Sequence, residues 1–250
     1  MLHHHLEGVG DPVVLLHAGV ADLRMWAPQL PALAREHQVV GCDLRGFGRT
    51  PIAPRESYCD AEDVLALLDA LGVGTFDVVA ASYGGSVALQ VATAVPERVR
   101  RMVLLAPAAD LAEPDDALKA FWTEENALAE AGDVEAATDL NVRTWLGPDA
   151  DEAAQELVRA MQRDALVAQL AAGDVEPREL PVDLASITAR TTVVAGAHDF
   201  PFFGETAREL ARRLPNAALV ELPWAGHLPS LERPEEITLL LLDALSQPAG

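Results

Sequence analysis

Basic residues are scarce in this sequence. Its 250 residues include 18 Lys and Arg against 39 Asp and Glu, which gives a formal net charge of −21 at pH 7. Nucleic-acid affinity comes mostly from Lys and Arg side chains that neutralise phosphates, and a protein with this charge repels phosphates. The composition therefore excludes an ordinary DNA-binding or RNA-binding protein.

Cysteine is almost absent. Cys42 and Cys59 are the only two, which is too few for a disulfide framework, and no group of Cys and His residues has the spacing of a zinc site. The run His3–His5 is a weak metal candidate, because adjacent side chains of a strand point to alternate faces. We therefore expect a reducing compartment, no bound metal and no organic cofactor.

Long apolar runs are missing as well. The longest lies around residues 237–245 and is interrupted by Asp243, whereas a membrane-spanning helix needs about 20 apolar residues. Residues 1–12 lack the basic start and the apolar run of a secretory signal. These absences predict a cytoplasmic protein without a membrane span. Hydrophobic residues make up 50% of the chain, which is enough for a large core.

Six apolar runs of strand length recur along the chain, each bounded by turn residues and followed by helical periodicity. They cover residues 13–17, 39–44, 76–82, 102–107, 191–197 and 218–223. Between the second and third runs, apolar residues from Val64 to Leu71 follow the i, i+3, i+4, i+7 spacing of a helix over 59–72, which Gly72 can close. Continuous apolar runs are typical of parallel strands. The sequence thus predicts an α/β fold, with a mostly parallel sheet and helices on both faces.

The interval from Asp110 to Ile187 contains no strand-like run and has 19 acidic but only 5 basic residues. It predicts an inserted helical unit, or cap, at 110–187 between two parts of the core, 1–109 and 188–250. Two interpretations of its charge remain open: a solvated helical surface, or a unit that covers a site on the sheet and disfavours anionic substrates. Trp122 and Trp145 either line that site or pack in the interior.

A serine lies where one predicted strand meets a helix. In VVAASYGGSVAL, residues 78–89, the strand leads into Ser82 and a helical stretch begins after Gly84 and Gly85. A nucleophilic serine at such a sharp turn requires very small neighbours two residues before and after it, here Ala80 and Gly84. The first N–H groups of the helix point toward the serine and can stabilise an oxyanion. The pattern indicates a nucleophile elbow, with Ala80 in place of the usual glycine.

Candidate partners for Ser82 follow two later strands. Asp199 comes after the fifth predicted strand and His227 after the sixth. Catalytic residues of open α/β sheets collect at the carboxyl ends of the strands, so these side chains can converge. We choose His227 as the base and Asp199 as the acid, with Asp110 as the runner-up acid.

Four segments resemble motifs of the α/β-hydrolase superfamily, in the same order along the chain. They are LLHAGVADLRMW at 15–26, GCDLRGFGRT at 41–50, ASYGG at 81–85 and GHLPSLERPEE at 226–236. Ala18 replaces the usual glycine after His17, and Thr50 stands where a serine is frequent, but neither change removes a catalytic group. Over nearly its whole length, the chain is similar to single-domain serine hydrolases with a helical cap.

The resemblance implies roles for particular residues. It assigns an oxyanion hole to the backbone N–H groups of Gly19 and Tyr83, and it makes His17 the residue that holds the first loop in place. The turn at 43–48 is then structural rather than catalytic. Because the nucleophile is a serine, the aspartate-based dehalogenases and epoxide hydrolases are disfavoured.

The implied reaction is covalent acyl transfer, in which Ser82 attacks a small carboxylic ester, thioester or lactone and His227 and Asp199 assist. A lyase, a cyclase or a carbon–carbon cleavage enzyme with the same residues remains an alternative, as does a non-catalytic binding protein. We expect a small-molecule substrate, no nucleic-acid or membrane partner, and a monomer or homodimer. The candidate substrate contacts are Val20, Trp122, Trp145 and Leu228.

Overall fold

Seven strands form one sheet in the computed structural model, which describes residues 1–53, 57–173, 175 and 177–248. The strands are β1 His4–Glu7, β2 Asp11–Leu16, β3 His37–Cys42, β4 Phe76–Ala81, β5 Val99–Leu105, β6 Arg190–Gly196 and β7 Ala217–Leu222. Their spatial order is β1-β3-β2-β4-β5-β6-β7. β1 runs antiparallel to β3, and the remaining neighbours are parallel.

Each of the six predicted runs overlaps one strand from β2 to β7, so the predicted α/β fold with a mostly parallel sheet is confirmed. β1 was not predicted. Its residues His4–Glu7 are mostly exposed and contain no apolar run. A strand at the edge of a sheet need not be buried on both faces, so its sequence need not contain such a run. Its pairing with β3 extends the sheet by one antiparallel strand.

Both faces of the sheet are buried. Val14 and Leu16 of β2 belong to one apolar cluster, whereas Val13 and Leu15 belong to the other. Side chains of a strand alternate between its two faces, so a run of apolar residues must be covered on both sides. Helix residues supply the cover, among them Leu68 on the first side and Leu241 on the second.

The α-helices of the described residues range from 4 to 21 residues in length. They are α1 Leu30–Leu33, α2 Asp60–Ala70, α3 Tyr83–Ala94, α4 Asp116–Glu130, α5 Val134–Trp145, α6 Glu152–Ala172, α7 Pro201–Arg213, α8 Pro229–Glu232 and α9 Pro234–Ser246. Gly72, at φ +71°, follows the predicted helix α2 and has the left-handed backbone that closes many helices. Among the described residues, no helix is both long and apolar enough to cross a membrane.

Helices α4, α5 and α6 lie between β5 and β6, inside the interval 110–187. Asp115, Asp133 and Asp151 precede the three helices, and each carboxylate accepts a hydrogen bond from N–H groups of the first turn. Such caps satisfy donors that have no partner within the helix. Part of the acidic excess of this interval therefore stabilises helix starts.

Candidate active site

Ser82 connects β4 to α3 in a strained conformation. Its backbone angles are φ 49° and ψ −116°, in a region that residues other than glycine rarely adopt. The Ser82 N–H donates to the carbonyl of Leu105 at 2.9 Å, which holds the turn against β5. A Cβ atom at Gly84 would lie 2.6 Å from the carbonyl oxygens of Leu16 and His17, so this position has no room for a side chain. The turn therefore has the geometry of a nucleophile elbow.

The structure brings Ser82, His227 and Asp199 into one hydrogen-bonded chain. The Oγ atom of Ser82 lies 2.7 Å from Nε2 of His227, and Nδ1 of His227 lies 2.7 Å from Oδ2 of Asp199. An ionised carboxylate only accepts hydrogen bonds, so Nδ1 carries the proton of the neutral ring and Nε2 is free to accept from the serine. This arrangement can remove the hydroxyl proton while the oxygen attacks an electrophile.

Two aromatic side chains flank His227. The ring centroid of Phe203 lies 4.2 Å from that of His227, and the ring of Trp145 lies 4.5 Å away. The histidine side chain is only 3% exposed and that of Asp199 only 2%. Water therefore competes little for the bond between them, and the imidazole keeps a single orientation.

Asp199, rather than the runner-up Asp110, holds the histidine. Its second oxygen, Oδ1, accepts a hydrogen bond from the N–H of Phe200 at 2.7 Å, so both oxygens are engaged. Asp110 is exposed and lines the cavity above the site. His198, the neighbour of Asp199, has an exposed side chain, and its N–H donates to the carbonyl of Ala225.

Two backbone N–H groups border the serine. Tyr83 is the first residue of α3, where N–H groups lack partners within the helix, while the next N–H, that of Gly84, donates to the carbonyl of His17 at 3.1 Å. Gly19 lies against Tyr83, because a Cβ atom on Gly19 would be 3.5 Å from the Tyr83 Cβ. Both residues line the same cavity as Ser82. Their position fits a pair of donors for an oxyanion.

His17 joins two loops. Its Nε2 atom accepts from the Leu44 N–H at 2.9 Å, so the proton is on Nδ1, which donates to the Ala18 carbonyl at 2.9 Å. The ring is fully buried, and burial lowers the pKa of His17, which keeps it neutral. Within the turn at 43–48, Asp43 accepts from the N–H groups of Leu23 and Arg49. These contacts are structural.

The sequence motifs did not reveal the part that Glu232 takes. Its carboxylate accepts from the N–H groups on both sides of the histidine, Gly226 at 2.8 Å and Leu228 at 3.2 Å. The carboxylate also lies against Gly147, in the segment between α5 and α6, where a Cβ atom would overlap it. Burial raises the pKa of Glu232, although its bonds from backbone N–H groups favour its anion. The carboxylate thereby fixes the loop that carries His227.

A cavity of about 1030 Å³ opens above Ser82 and His227. Val20, Trp122 and Trp145, three of the predicted substrate contacts, line its wall, and residues of α4, α5 and α6 contribute much of the remainder. The fourth, Leu228, does not line it. Its side chain is fully buried in the apolar cluster on one face of the sheet, because α8 begins directly after it and turns it inward.

No group of three or more His, Cys, Asp or Glu side chains in the described part of the chain is arranged to hold a metal ion. The N-terminal histidines make separate contacts. His3 bonds to Asp43, and His5 bonds to Glu7. Cys42 and Cys59 are both free and buried.

Comparison with known proteins gives a consistent family. The profile described as alpha/beta hydrolase fold matches residues 11–145. RutD of Variovorax paradoxus, provisionally named a carbamate hydrolase, is 32% identical over 98% of this chain and 96% of its own. The 2-hydroxymuconate semialdehyde hydrolase of Pseudomonas sp. strain CF600 is 30% identical over 97% of this chain and 89% of its own.

Solved structures agree with the sequence relatives. The enol-lactonase from Burkholderia xenovorans LB400 superposes with a TM-score of 0.81 at 26% identity, covering 98% of this chain and 96% of the other. The two sequence relatives are hydrolases by name. With this fold, a serine at its elbow and these relatives, the chain is an enzyme that belongs to the α/β-hydrolase family.

Proposed function

We propose that the protein is a serine hydrolase that cleaves a small carboxylic ester, thioester or lactone through an acyl-enzyme on Ser82. The observation that carries the proposal is the continuous chain from Ser82 through His227 to Asp199, with both bonds 2.7 Å long, at the base of an open cavity. Nucleophile, base and orienting acid in mutual hydrogen-bond reach are the requirement for nucleophilic acyl transfer.

The first half of the reaction forms the acyl-enzyme. Oγ of Ser82 bonds to the carbonyl carbon as its proton passes to Nε2 of His227, and Asp199 stabilises the imidazolium. The carbonyl oxygen becomes an oxyanion that accepts from the N–H groups of Gly19 and Tyr83. The bond to the leaving oxygen or sulfur then breaks, and His227 returns the proton to the departing alcohol or thiol.

The second half releases the acid. A water molecule loses a proton to Nε2 of His227 and attacks the acyl carbon, giving a second oxyanion in the same hole. Collapse of this intermediate breaks the bond to Ser82, which recovers its proton from the imidazolium. Loss of one oxyanion donor is expected to reduce turnover on the order of 100 to 1000-fold.

The names of the relatives favour acyl chemistry. A carbamate and an enol-lactone, named for RutD and for the Burkholderia protein, both present a carbonyl carbon to the nucleophile. The lyase, cyclase or carbon–carbon cleavage alternative uses the same three residues. Another relative is named 2-hydroxy-6-oxo-2,4-heptadienoate hydrolase, after a carboxylate. Among the described residues that line the present cavity there is neither Lys nor Arg to bind a carboxylate, which favours the ester class.

The proposal is tested with a fluorophosphonate probe and an ester series. We expect one probe molecule per chain, located on Ser82 by peptide mass spectrometry, and hydrolysis of p-nitrophenyl esters with short and medium acyl chains. Ser82→Ala should abolish both. An unlabelled Ser82 together with no ester hydrolysis would contradict the proposal and favour a non-catalytic binding protein.

A further inference from the structure

We propose that Asp60 and the phenol of Tyr83 are positioning residues that set the spacing of the two oxyanion donors, the N–H groups of Gly19 and Tyr83. The inference rests on the proposed function, because it concerns the hole in which an oxyanion formed on Ser82 is stabilised. It gives a task to a buried carboxylate that takes no part in the proton transfers of the reaction.

Asp60 joins two segments from beneath the nucleophile turn. It is the first residue of α2 and only 3% exposed. Its Oδ2 accepts from the hydroxyl of Tyr83 at 2.7 Å, and its Oδ1 accepts from the N–H of Arg45 at 3.2 Å. Burial raises the pKa of Asp60, although both bonds favour its anion. Burial and the neighbouring carboxylate raise the pKa of Tyr83, so the phenol keeps its proton and is the donor.

One arm of contacts leads from Asp60 to the first donor. The N–H of Leu44 donates to Nε2 of His17 at 2.9 Å, and Nδ1 of His17 donates to the carbonyl of Ala18 at 2.9 Å. Gly19 is the next residue after Ala18. The residue after Leu44 is the one whose N–H donates to Asp60. The loop that carries the first donor is thus connected to the buried carboxylate through the turn at 43–48.

A second arm leads from Asp60 to the other donor. The phenol of Tyr83 is bonded to Asp60, and the N–H of the next residue, Gly84, donates to the carbonyl of His17 at 3.1 Å. The two arms therefore meet at His17 and form a closed ring of covalent and hydrogen bonds. Both donors are attached to this ring, so its dimensions set the distance between them.

The side chain of Phe47 packs between the two arms. Its ring centroid lies 4.9 Å from that of His17 and 6.4 Å from that of Tyr83, and the residue is buried. Protein interiors are close-packed, so an aromatic ring in this place resists any approach of the two arms. The hydrogen bonds prevent separation of the arms, and Phe47 prevents their collapse.

The peptide between Ser82 and Tyr83 is held at its other end as well. The carbonyl of Ser82 accepts from the N–H groups of Gly85 at 2.8 Å and Ala108 at 3.0 Å. In a planar trans peptide the N–H points away from the C=O, so these bonds also fix the direction of the Tyr83 N–H. The bond from the phenol restrains the Tyr83 side of the same peptide, which adjoins the strained backbone of the serine.

The first test is Tyr83→Phe, which removes the hydroxyl and keeps the ring. Preorganised donors lose their effect when they are displaced, and a shift of about 1 Å can cost on the order of 100-fold in rate. With p-nitrophenyl butyrate we expect kcat to fall about 10 to 100-fold while KM changes less than about threefold. Asp60→Asn should act in the same direction, because its NH₂ faces one of the two donors. The double variant should lose no more than the larger single loss, since both changes break one bond.

The matched control is Tyr58→Phe. Tyr58 is the other of the two tyrosines in the sequence, its ring lies 5.7 Å from Cζ of Arg45, and it lines a different cavity from Ser82. The change removes the same hydroxyl group on the far side of the turn at 43–48. We expect this variant to keep the kcat of the wild type.

A tetrahedral analogue separates positioning from stability. Trifluoromethyl pentyl ketone adds to the nucleophilic serine and places an anionic oxygen in the hole, whereas methyl pentyl ketone is the uncharged ground-state match. The ratio of their inhibition constants should fall about tenfold or more in Tyr83→Phe and stay at the wild-type value in Tyr58→Phe. A bond that only stabilised the fold would lower the melting temperature without changing this ratio.

The outcomes distinguish this inference from the proposed function. A wild type that hydrolyses the ester, with kcat and the inhibitor ratio unchanged in Tyr83→Phe, would overturn the inference and leave the proposed function intact. Equal losses in Tyr83→Phe and Tyr58→Phe would also overturn it. A wild type that neither hydrolyses the ester nor prefers the trifluoromethyl ketone would overturn both.

Discussion

The loops of the sheet and the inserted helices border the same cavity, but their ion pairs are buried to different degrees. On the sheet side, Asp199 and His227 are 2% and 3% exposed and bonded to each other. On the helices, Arg163 and Glu135, which do not line the cavity, pair with 52% and 65% of their side chains exposed. Breaking a buried pair is strongly destabilising, whereas exposed pairs contribute about 0–1 kcal/mol. Substitutions on the loops should therefore remove the reaction, and substitutions on the helices should change which substrate is taken.

The largest expected effect is that of Ser82→Ala. It removes the nucleophile but only one hydroxyl, so turnover of a p-nitrophenyl ester should fall on the order of 10⁶-fold while the melting temperature is retained. The matched control is Ser86→Ala, since Ser86 lines the cavity on the same helix without joining the chain of bonds. A Ser82→Ala variant that kept more than a tenth of the activity would place the nucleophile elsewhere.

Asp199→Asn comes next. An amide in this position can donate to the imidazole and favours the wrong tautomer, so turnover should fall about 10⁴-fold. Asp110→Asn should cost little, because Asp110 is exposed on the cavity wall. Initial rates of the two variants on the same ester show which aspartate is the catalytic acid. The reverse order of effects would move the acid to the end of β5.

Glu232→Gln tests a loop residue that does not touch the substrate. A glutamine has one acceptor oxygen for the two backbone N–H groups of Gly226 and Leu228, and its NH₂ faces a donor, so the loop that carries His227 should loosen. We expect kcat to fall about 10 to 100-fold with little change in KM, and we expect the dependence of kcat on pH to change as well. Glu236→Gln, on an exposed carboxylate that bonds to Trp224, is the control. Loss of thermal stability alone, with kcat retained, would make Glu232 purely structural.

Glu125 lies on α4 in the cavity wall and accepts from Nδ2 of Asn141 at 2.6 Å. Glu125→Gln should stabilise the fold at neutral pH. Burial raises the pKa of Glu125 above its unfolded value, so the folded state binds more protons than the unfolded state. The free energy of unfolding therefore falls as pH rises from the unfolded pKa through the folded pKa. Removing the charge should raise the free energy of unfolding at pH 7 on the order of 1 kcal/mol. Urea denaturation at pH 7 and pH 4 checks this, since the gain should shrink at the lower pH. A variant less stable than the wild type at pH 7 would contradict it.

The smallest effect concerns the summed charge of the inserted helices. At low salt an anionic ester should turn over a few times more slowly than a neutral ester of equal size, and the difference should narrow as salt screens the field. Rates at about 10 and 300 mM NaCl measure it. Preference for the anionic ester at low salt would mean that the acidic side chains face away from the entrance.

The fold was predictable because strands buried on both faces leave long apolar runs in the sequence. Ser82, Asp199 and His227 could be proposed because each follows such a run. The carboxyl ends of parallel strands lie along the same edge of the sheet, so these residues can meet there. β1 was not predicted because its residues are mostly exposed and mostly polar. No local pattern indicates an edge strand of this kind.

Other parts of the site depend on geometry that spacing does not encode. Leu228 follows His227 in sequence, yet α8 turns it into the core, so proximity in the chain misled the prediction. Glu232 acts through two backbone N–H groups of its own loop and lies against Gly147, which is far away in the sequence. Much of the cavity wall lies on α4, α5 and α6, whose periodicity shows a buried face but not what that face surrounds.

The close approach of Gly147 to Glu232 has a consequence for motion. The segment between α5 and α6 packs against the loop of His227, because a Cβ atom at Gly147 would overlap the Glu232 carboxylate. Any opening at that end would displace the histidine from its serine. Amide hydrogen exchange should therefore be slow at Gly226, whose N–H donates to Glu232, and faster along the exposed turns of α4.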